Sequence, residues 1–148
     1  MREIFDYAKG STQIEPSTKQ EASLVLLPRS GSSKTVVSTT FKQIIDFERT
    51  KGRVVYLKSH PLDSPLDYRT HFNPELVVLP SFLPSEVIPA AIPKITSIYG
   101  PPNTSLLAAK FFFPDLNVYL IEEKTTEFSM KLRQIGVKSI TAARARNS

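Results

Sequence analysis

The sequence predicts a single α/β domain with a mostly parallel sheet, built from βαβ units whose helices pack on the sheet. Two stretches carry this prediction, residues 116–142 and residues 35–57. Each contains an apolar run, a pair of threonines, a helical pattern, a glycine and a second apolar run. Because parallel neighbours need a long crossover connection, two such units in a short chain favour a largely parallel sheet with right-handed crossovers.

The clearer unit lies at residues 116–142. Residues 116–121 are mostly β-branched, aromatic or aliphatic, which is typical of a strand. Thr125 or Thr126 is suited to cap the helix that follows. The apolar face of that helix is supplied at helical spacing by Phe128, Leu132 and Ile135. Gly136 ends the helix, and residues 137–140 resume an extended pattern.

The second unit follows the first core strand, which is predicted at residues 23–27. Residues 35–38 are typical of a short strand, and Thr39 or Thr40 is suited to cap the helix that follows. One side of the predicted helix carries Phe41, Ile44, Ile45 and Glu48. Gly52 closes this helix, and residues 53–57 form the next predicted strand.

Three further segments are less regular. Residues 59–74 contain several prolines and indicate a long surface loop, whereas residues 76–79 are typical of a buried strand. Pro84, Pro89 and Pro93 predict a short, broken helix. Pro114-Asp115 is compatible with a turn, so a hairpin is possible at residues 111–121.

The predicted organisation is a flexible N-terminal arm at 1–22, the α/β domain at 23–142 and a basic C-terminal tail at 143–148. In the arm, the spacing of Ile4, Phe5 and Ala8 predicts one or two helical turns, followed by a polar stretch. With 148 residues, the chain is long enough to bury a core without disulfides or a structural metal.

Composition excludes several classes of function. The chain has no cysteine, which excludes thiol catalysis and cysteine-ligated metal centres. No apolar run approaches the roughly 20 residues needed to span a bilayer, and the acidic N-terminus does not resemble a signal peptide. A soluble protein, cytoplasmic by default, is therefore expected. The net charge of +5 favours a polyanionic partner without deciding it.

Two sets of side chains are candidates for metal chemistry. His60, Asp63, Asp67 and His71 lie in the predicted loop and offer imidazole and carboxylate ligands, but their spacing matches no metal motif, and a solvated loop with local Asx turns is the favoured explanation. Glu122-Glu123-Lys124 has the acid-x-lysine form and resembles metal-dependent nucleases of the PD-(D/E)xK type. That resemblance implies a catalytic set of Asp115, Glu122 and Lys124, in which the carboxylates hold a divalent ion and the lysine helps to activate water. The alternative is a charged junction before a helix.

Basic residues gather towards the C-terminus. The candidate polyanion-binding side chains are Lys131, Arg133, Lys138, Arg144 and Arg146. Solubility is the competing explanation for the tail. Residues 29–34 lack the spaced glycines of a phosphate loop, and no dinucleotide fingerprint is present, so the sequence predicts no cofactor.

These observations favour a non-enzymatic structural or binding protein, a subunit of a larger assembly whose partners are further copies of itself or other protein subunits. The first alternative is a nucleic-acid-binding module that uses the basic C-terminal segment. The second is a metal-dependent nuclease of the PD-(D/E)xK type.

Overall fold

A computed structural model describes residues 20–28, 34–61, 76–80, 82–122 and 124–140, with only the backbone at 34–38. The strands are β1 (Ala22–Leu26), β2 (Val54–Lys58), β3 (Val77–Leu79), β4 (Ile95–Gly100), β5 (Asn117–Ile121) and β6 (Lys138–Ile140). The α-helices are α1 (Lys34–Thr50), α2 (Ile88–Ala91), α3 (Thr104–Phe112) and α4 (Glu127–Gln134), and a 3₁₀ turn, Ser85–Val87, precedes α2. The N-terminal arm up to residue 19, the basic tail and most of the 59–74 loop lie outside the described residues.

The six strands form one parallel sheet in the order β3-β2-β1-β4-β5-β6. The predicted α/β class is therefore confirmed. From β1 the chain adds strands towards one edge, and from β4 it adds them towards the other. Because parallel crossovers are right-handed, connections that run in opposite directions place their helices on opposite faces. This is the arrangement of an open, doubly wound sheet.

The two faces carry separate cores. On one face, α2, α3 and α4 contribute Ile88, Leu106 and Leu132 to a cluster with the side chains of every strand from β1 to β5. On the other face, α1 contributes Phe41, Ile44 and Ile45. Central strand residues such as Leu24, Val25 and Leu120 are fully buried, as expected for a strand covered on both sides.

Helix ends follow the predicted local chemistry at several positions. Thr126 Oγ1 accepts a hydrogen bond from the Ser129 amide at 3.1 Å, and Ser129 Oγ accepts one from the Thr126 amide at 2.7 Å, which completes a capping box. Gly52 and Gly136 follow their helices with φ of 75° and 97°, the left-handed region that favours glycine. The prolines break the 85–91 segment into a 3₁₀ turn and a one-turn helix, as predicted.

Three local predictions were wrong. Residues 35–38 are not a strand, because α1 begins at Lys34; the strand that precedes this helix is β1. For the same reason neither Thr39 nor Thr40 caps the helix, since both lie inside it. The possible hairpin at 111–121 is also absent, because residues 104–112 form α3 and β5 pairs with β4 in parallel. Asn103 explains this helix, since its side chain caps it by accepting a bond from the Leu106 amide at 3.1 Å. None of the helices within the described ranges is long and apolar enough to cross a membrane.

Candidate functional site

The carboxyl ends of the strands share one edge of the sheet because all the strands are parallel. β1 and β4 are neighbours at the centre, although they are far apart in sequence, and the direction of strand addition reverses between them. In open α/β sheets this reversal opens a crevice outside the carboxyl ends of the two strands, where ligands bind. The carboxyl edge around β1 and β4 is therefore the first candidate site.

Lys58 and Ser59 lie at this edge, at the end of β2. Lys58 is only 4% exposed, and its Nζ donates a hydrogen bond to the Ser59 carbonyl oxygen at 2.7 Å. Burial lowers the pKa of Lys58 to about 8, although the nearby Glu86 acts in the opposite direction. The Ser59 hydroxyl is buried and has no hydrogen-bond partner among the described residues. A buried cation and an unsatisfied hydroxyl thus occur side by side.

The N-terminus of α3 reaches the same edge directly after β4. Asn103 is its N-cap, in extended backbone with φ of −150°. In the first turn, Ser105 Oγ accepts a hydrogen bond from Ser85 Oγ at 2.8 Å, which ties α3 to the 3₁₀ turn. The free amides of a helix N-terminus carry partial positive charge and attract anions. This helix end and Lys58 therefore both bring positive charge to the edge, where Glu86 acts on Lys58 as the nearby acid.

The proposed nuclease residues are separated by the fold. Asp115 precedes β5 and Glu122 follows it, so the two carboxylates lie at opposite ends of a strand about 16 Å long. Glu122 Oε1 accepts hydrogen bonds from Arg133 and, at 3.3 Å, from Ser139 Oγ. Lys124 is exposed beyond Glu122. The structure therefore does not assemble Asp115, Glu122 and Lys124 into one site.

Only one of the four candidate metal ligands belongs to the described residues. His60 is half-buried after β2, whereas Asp63, Asp67 and His71 lie outside the described residues. Within the described ranges, no group of three or more histidine, aspartate or glutamate side chains is placed to hold a metal ion.

Three of the five predicted polyanion-binding cations are described. Lys131 Nζ lies 3.3 Å from Glu127 Oε1, four residues earlier on α4, and Arg133 pairs with Glu122. Lys138 Nζ lies 5.7 Å from the ring centroid of Tyr119. Arg144 and Arg146 lie outside the described residues. The described cations therefore do not form one continuous unpaired surface.

A second site occurs on the α1 face, where a cavity of about 540 Å³ lies between the C-terminal half of α1 and strands β4, β5 and β6. Its volume is in the range of small-molecule pockets. The wall next to α1 carries the most buried charge of the described chain, the carboxylate of Glu48, which is 0% exposed.

Glu48 is fully hydrogen-bonded. Oε2 accepts from Ser23 Oγ at 2.5 Å and from Arg53 Nη1 at 2.8 Å, and Oε1 accepts from the Tyr99 hydroxyl at 2.5 Å. Burial raises the pKa of Glu48, but the hydrogen bonds from Arg53, Ser23 and Tyr99 outweigh it and hold the pKa below its usual value. Burial, together with the bond to Glu48, also raises the pKa of Tyr99. With all of these bonds made, Glu48 has a positioning role and is not a free general base.

Sequence reasoning placed Glu48 on the inner side of its helix but did not find this cluster. The cluster joins three elements that are distant in sequence: Ser23 lies on β1, Glu48 on α1 and Tyr99 on β4. Ser23 and Glu48 are 25 residues apart, and Glu48 and Tyr99 are 51 residues apart. Only the pair of Glu48 and Arg53, five residues apart, left a local signal: an acid on the apolar side of a helix with an arginine just after its glycine stop.

The strand order defines this chain as an open, doubly wound α/β domain. No known protein-family model matches the chain, and no curated protein matches it either.

Proposed function

We propose that this protein is a ligand-binding α/β domain that holds a small molecule carrying a phosphate or carboxylate group at the carboxyl edge of its sheet. The observation that carries the proposal is the strand order, which reverses between β1 and β4. That reversal is the general position of ligand sites in sheets of this type. The fold indicates where a ligand would bind but not which ligand, so the ligand class is inferred from the side chains at this edge.

Three features of the edge favour an anion. Lys58 places a buried cation at the end of β2, only two strands from β4. The N-terminus of α3 lies next to β4 and adds the partial positive charge of a helix end. The buried Ser59 hydroxyl offers a further hydrogen-bond donor whose partner is missing among the described residues. A phosphate ester satisfies all three, because it accepts several hydrogen bonds and carries negative charge.

Isothermal titration with inorganic phosphate, a nucleoside monophosphate and a nucleoside diphosphate tests this proposal. We expect saturable binding that Lys58→Met weakens about tenfold or more, since a hydrogen bond to a charged group contributes about 1.5–3 kcal/mol. Ser59→Ala, a smaller change, is expected to weaken binding less. Lys42→Met is the matched control, because Lys42 is an exposed lysine in the middle of α1.

The proposal fails if no phosphate compound binds saturably, or if Lys58→Met and Lys42→Met leave the same affinity. Urea unfolding of each variant shows whether it is folded before the titration is interpreted.

We also propose that the protein associates with further copies of itself through the C-terminal end of α3. Phe111 and Phe112 are 78% and 62% exposed, and their rings meet edge to face at a centroid distance of 5.3 Å. Two large exposed aromatic side chains on one helix end are typical of protein interfaces, where aromatic residues are enriched. The same surface would suit a subunit of a larger assembly.

Light scattering over a range of concentrations tests this second proposal. The expected mass is a multiple of 16.6 kDa for the wild-type chain and 16.6 kDa for the Phe111→Ser/Phe112→Ser variant. Met130→Ser, which changes an exposed apolar residue on α4, is the control and is expected to keep the wild-type mass. A wild-type chain that stays at the monomer mass at every concentration contradicts self-association.

A further inference from the structure

The cavity between α1 and strands β4, β5 and β6 has an excess of positive charge. Its lining contains three cations, Lys51, Arg53 and Lys138, and one acid, Glu48. Arg53 Nη1 contacts the Glu48 carboxylate at 2.8 Å, so these two charges offset each other. Neither Lys51 nor Lys138 forms an ion pair with an acid in the described part of the chain. Two exposed cations therefore remain available to an anionic ligand.

Aromatic rings hold both ammonium groups at the cavity. Lys51 Nζ lies 4.2 Å from the centroid of the Phe47 ring, and Lys138 Nζ lies 5.7 Å from the centroid of the Tyr119 ring. The face of an aromatic ring attracts a cation without accepting a conventional hydrogen bond, so each ammonium group keeps its N–H donors for an anion. The two lysines are therefore positioned as anion-binding groups.

The floor of the cavity is aromatic, and Ile44 and Ile140 add apolar walls. On this floor, Tyr99 of β4 is paired in register with Tyr119 of β5, and Tyr119 with Lys138 of β6. The two tyrosine rings stack at a centroid distance of 4.8 Å and an interplanar angle of 14°. Because Tyr99 lies against one face of the Tyr119 ring and Lys138 over the other, the edge of this ring is left for a ligand. A ring edge packs favourably on the face of another aromatic ring.

We propose that this cavity is a second binding site, which takes an aromatic carboxylate. The ring of such a molecule packs on the aromatic floor between the apolar walls, and its carboxylate pairs with Lys51 and Lys138. The volume of about 540 Å³ is in the range of small-molecule pockets. The cavity is separate from the carboxyl edge, because the lining residues Asn117 and Lys138 are the first residues of β5 and β6, whereas Lys58 is the last residue of β2. The two proposals are therefore independent.

Isothermal titration of the full-length chain with 2-naphthoate, 2-naphthamide and acetate tests the proposal. 2-Naphthamide has nearly the same shape as 2-naphthoate without the charge, and acetate has the charge without the ring. We expect saturable binding of 2-naphthoate, an affinity for 2-naphthamide that is lower by about tenfold or more, and no saturable binding of acetate.

Variants of the two lysines test where 2-naphthoate binds. Lys51→Met and Lys138→Met are each expected to weaken its binding about threefold to fivefold, the effect of losing one exposed ion pair, and the double variant by about tenfold or more. Lys42→Met changes an exposed lysine of the same helix α1 that does not line the cavity, and it is expected to leave the affinity unchanged. Urea unfolding shows that each variant is folded before its titration is interpreted.

Four results would overturn the proposal, each for a different reason. The absence of saturable 2-naphthoate binding shows that the cavity takes no aromatic carboxylate, and equal affinities for 2-naphthoate and 2-naphthamide show that the lysines do not bind the charge. Binding that Lys58→Met weakens and the double variant Lys51→Met/Lys138→Met does not weaken assigns the molecule to the carboxyl edge. An affinity that falls as the protein concentration rises shows that a second copy of the chain covers the cavity.

Discussion

Replacing Glu48 by glutamine is expected to destabilise the domain by about 3 kcal/mol. Glutamine keeps the shape of the side chain but turns one of the two acceptor oxygens into a donor, so the hydroxyl hydrogen of either Ser23 or Tyr99 loses its acceptor. The change also leaves Arg53 without the carboxylate that it contacts at 2.8 Å. Breaking a buried ion pair from one side costs about 3–5 kcal/mol. The low end applies here, because the Arg53 side chain is 25% exposed and keeps Glu21 at 3.4 Å.

Urea unfolding followed by circular dichroism measures this loss as a difference in the free energy of unfolding. Asp46→Asn is the matched control, because Asp46 is exposed on the same helix and its change is expected to stay within about 0.5 kcal/mol. A loss below about 1 kcal/mol for Glu48→Gln would refute the reasoning, because an ion pair exposed to solvent contributes no more than that to the free energy of unfolding.

The same carboxylate gives the wild-type chain a pH dependence with a defined sign. The pKa of Glu48 is lower in the folded state than in the unfolded state. Its contribution to stability is therefore complete above the unfolded pKa and is lost as the pH falls through the folded pKa. The difference in unfolding free energy between wild type and Glu48→Gln should accordingly shrink as the medium is acidified below the ordinary glutamate range. A difference that is constant with pH would show that the charge of Glu48 contributes nothing.

Three further predictions concern single residues. Burial lowers the pKa of Lys58 from its usual 10.5 to about 8 in the folded state. Between pH 8 and 10.5 the unfolded chain therefore binds more protons than the folded chain, so the free energy of unfolding should rise with pH over this range by up to about 3 kcal/mol. Unfolding by urea at pH 7.5 and 10 should show this rise relative to Lys58→Met, and parallel curves would contradict it. Thr126→Ala removes the N-cap of α4 and should lower the free energy of unfolding by about 1 kcal/mol. Thr125→Ala, at the exposed neighbouring position, should change it little, and equal losses for the two variants would contradict the capping role of Thr126. Gly52→Ala should lower stability by about 1–2 kcal/mol, because φ is 75° and alanine is strained there even though nothing would contact the added carbon. Gly52→Asn should cost less, because asparagine tolerates this conformation. A lower melting temperature for the asparagine variant than for the alanine variant would contradict the role of φ.

Local chemistry made much of this fold predictable. The Thr126 cap, the Gly136 stop and the strand between residues 117 and 121 depend on neighbours in sequence, and all three are present. Residues 35–38 show the limit of such reasoning, because β-branched side chains favour a strand in isolation but lie here in the first turns of α1. The helix at residues 104–112 had a local signal, the Asn103 cap after two prolines, which the apolar run obscured.

The candidate sites were less predictable because they depend on strand order. Nothing in the sequence states that β1 lies beside β4, and this adjacency creates both the reversal of strand order at the carboxyl edge and the contact of Tyr99 with Glu48. The separation of Asp115 from Glu122, by contrast, follows from the strand predicted between them, which is present as β5. The i,i+4 spacing of Glu127 and Lys131 predicted their ion pair, which is present, but nothing in the sequence showed that Arg133 pairs with Glu122.

The hydrogen bonds of Glu48 also bear on how the domain unfolds. Ser23 belongs to β1, Tyr99 to β4 and Arg53 to the start of β2, so one side chain of α1 connects strands on both sides of the point where the sheet reverses. A segment that opens locally must first leave such shared contacts, which raises the free energy of partial opening towards that of global unfolding. The two halves of the sheet are therefore coupled, and the amides of β1, β2 and β4 should exchange their hydrogens as one cooperative unit.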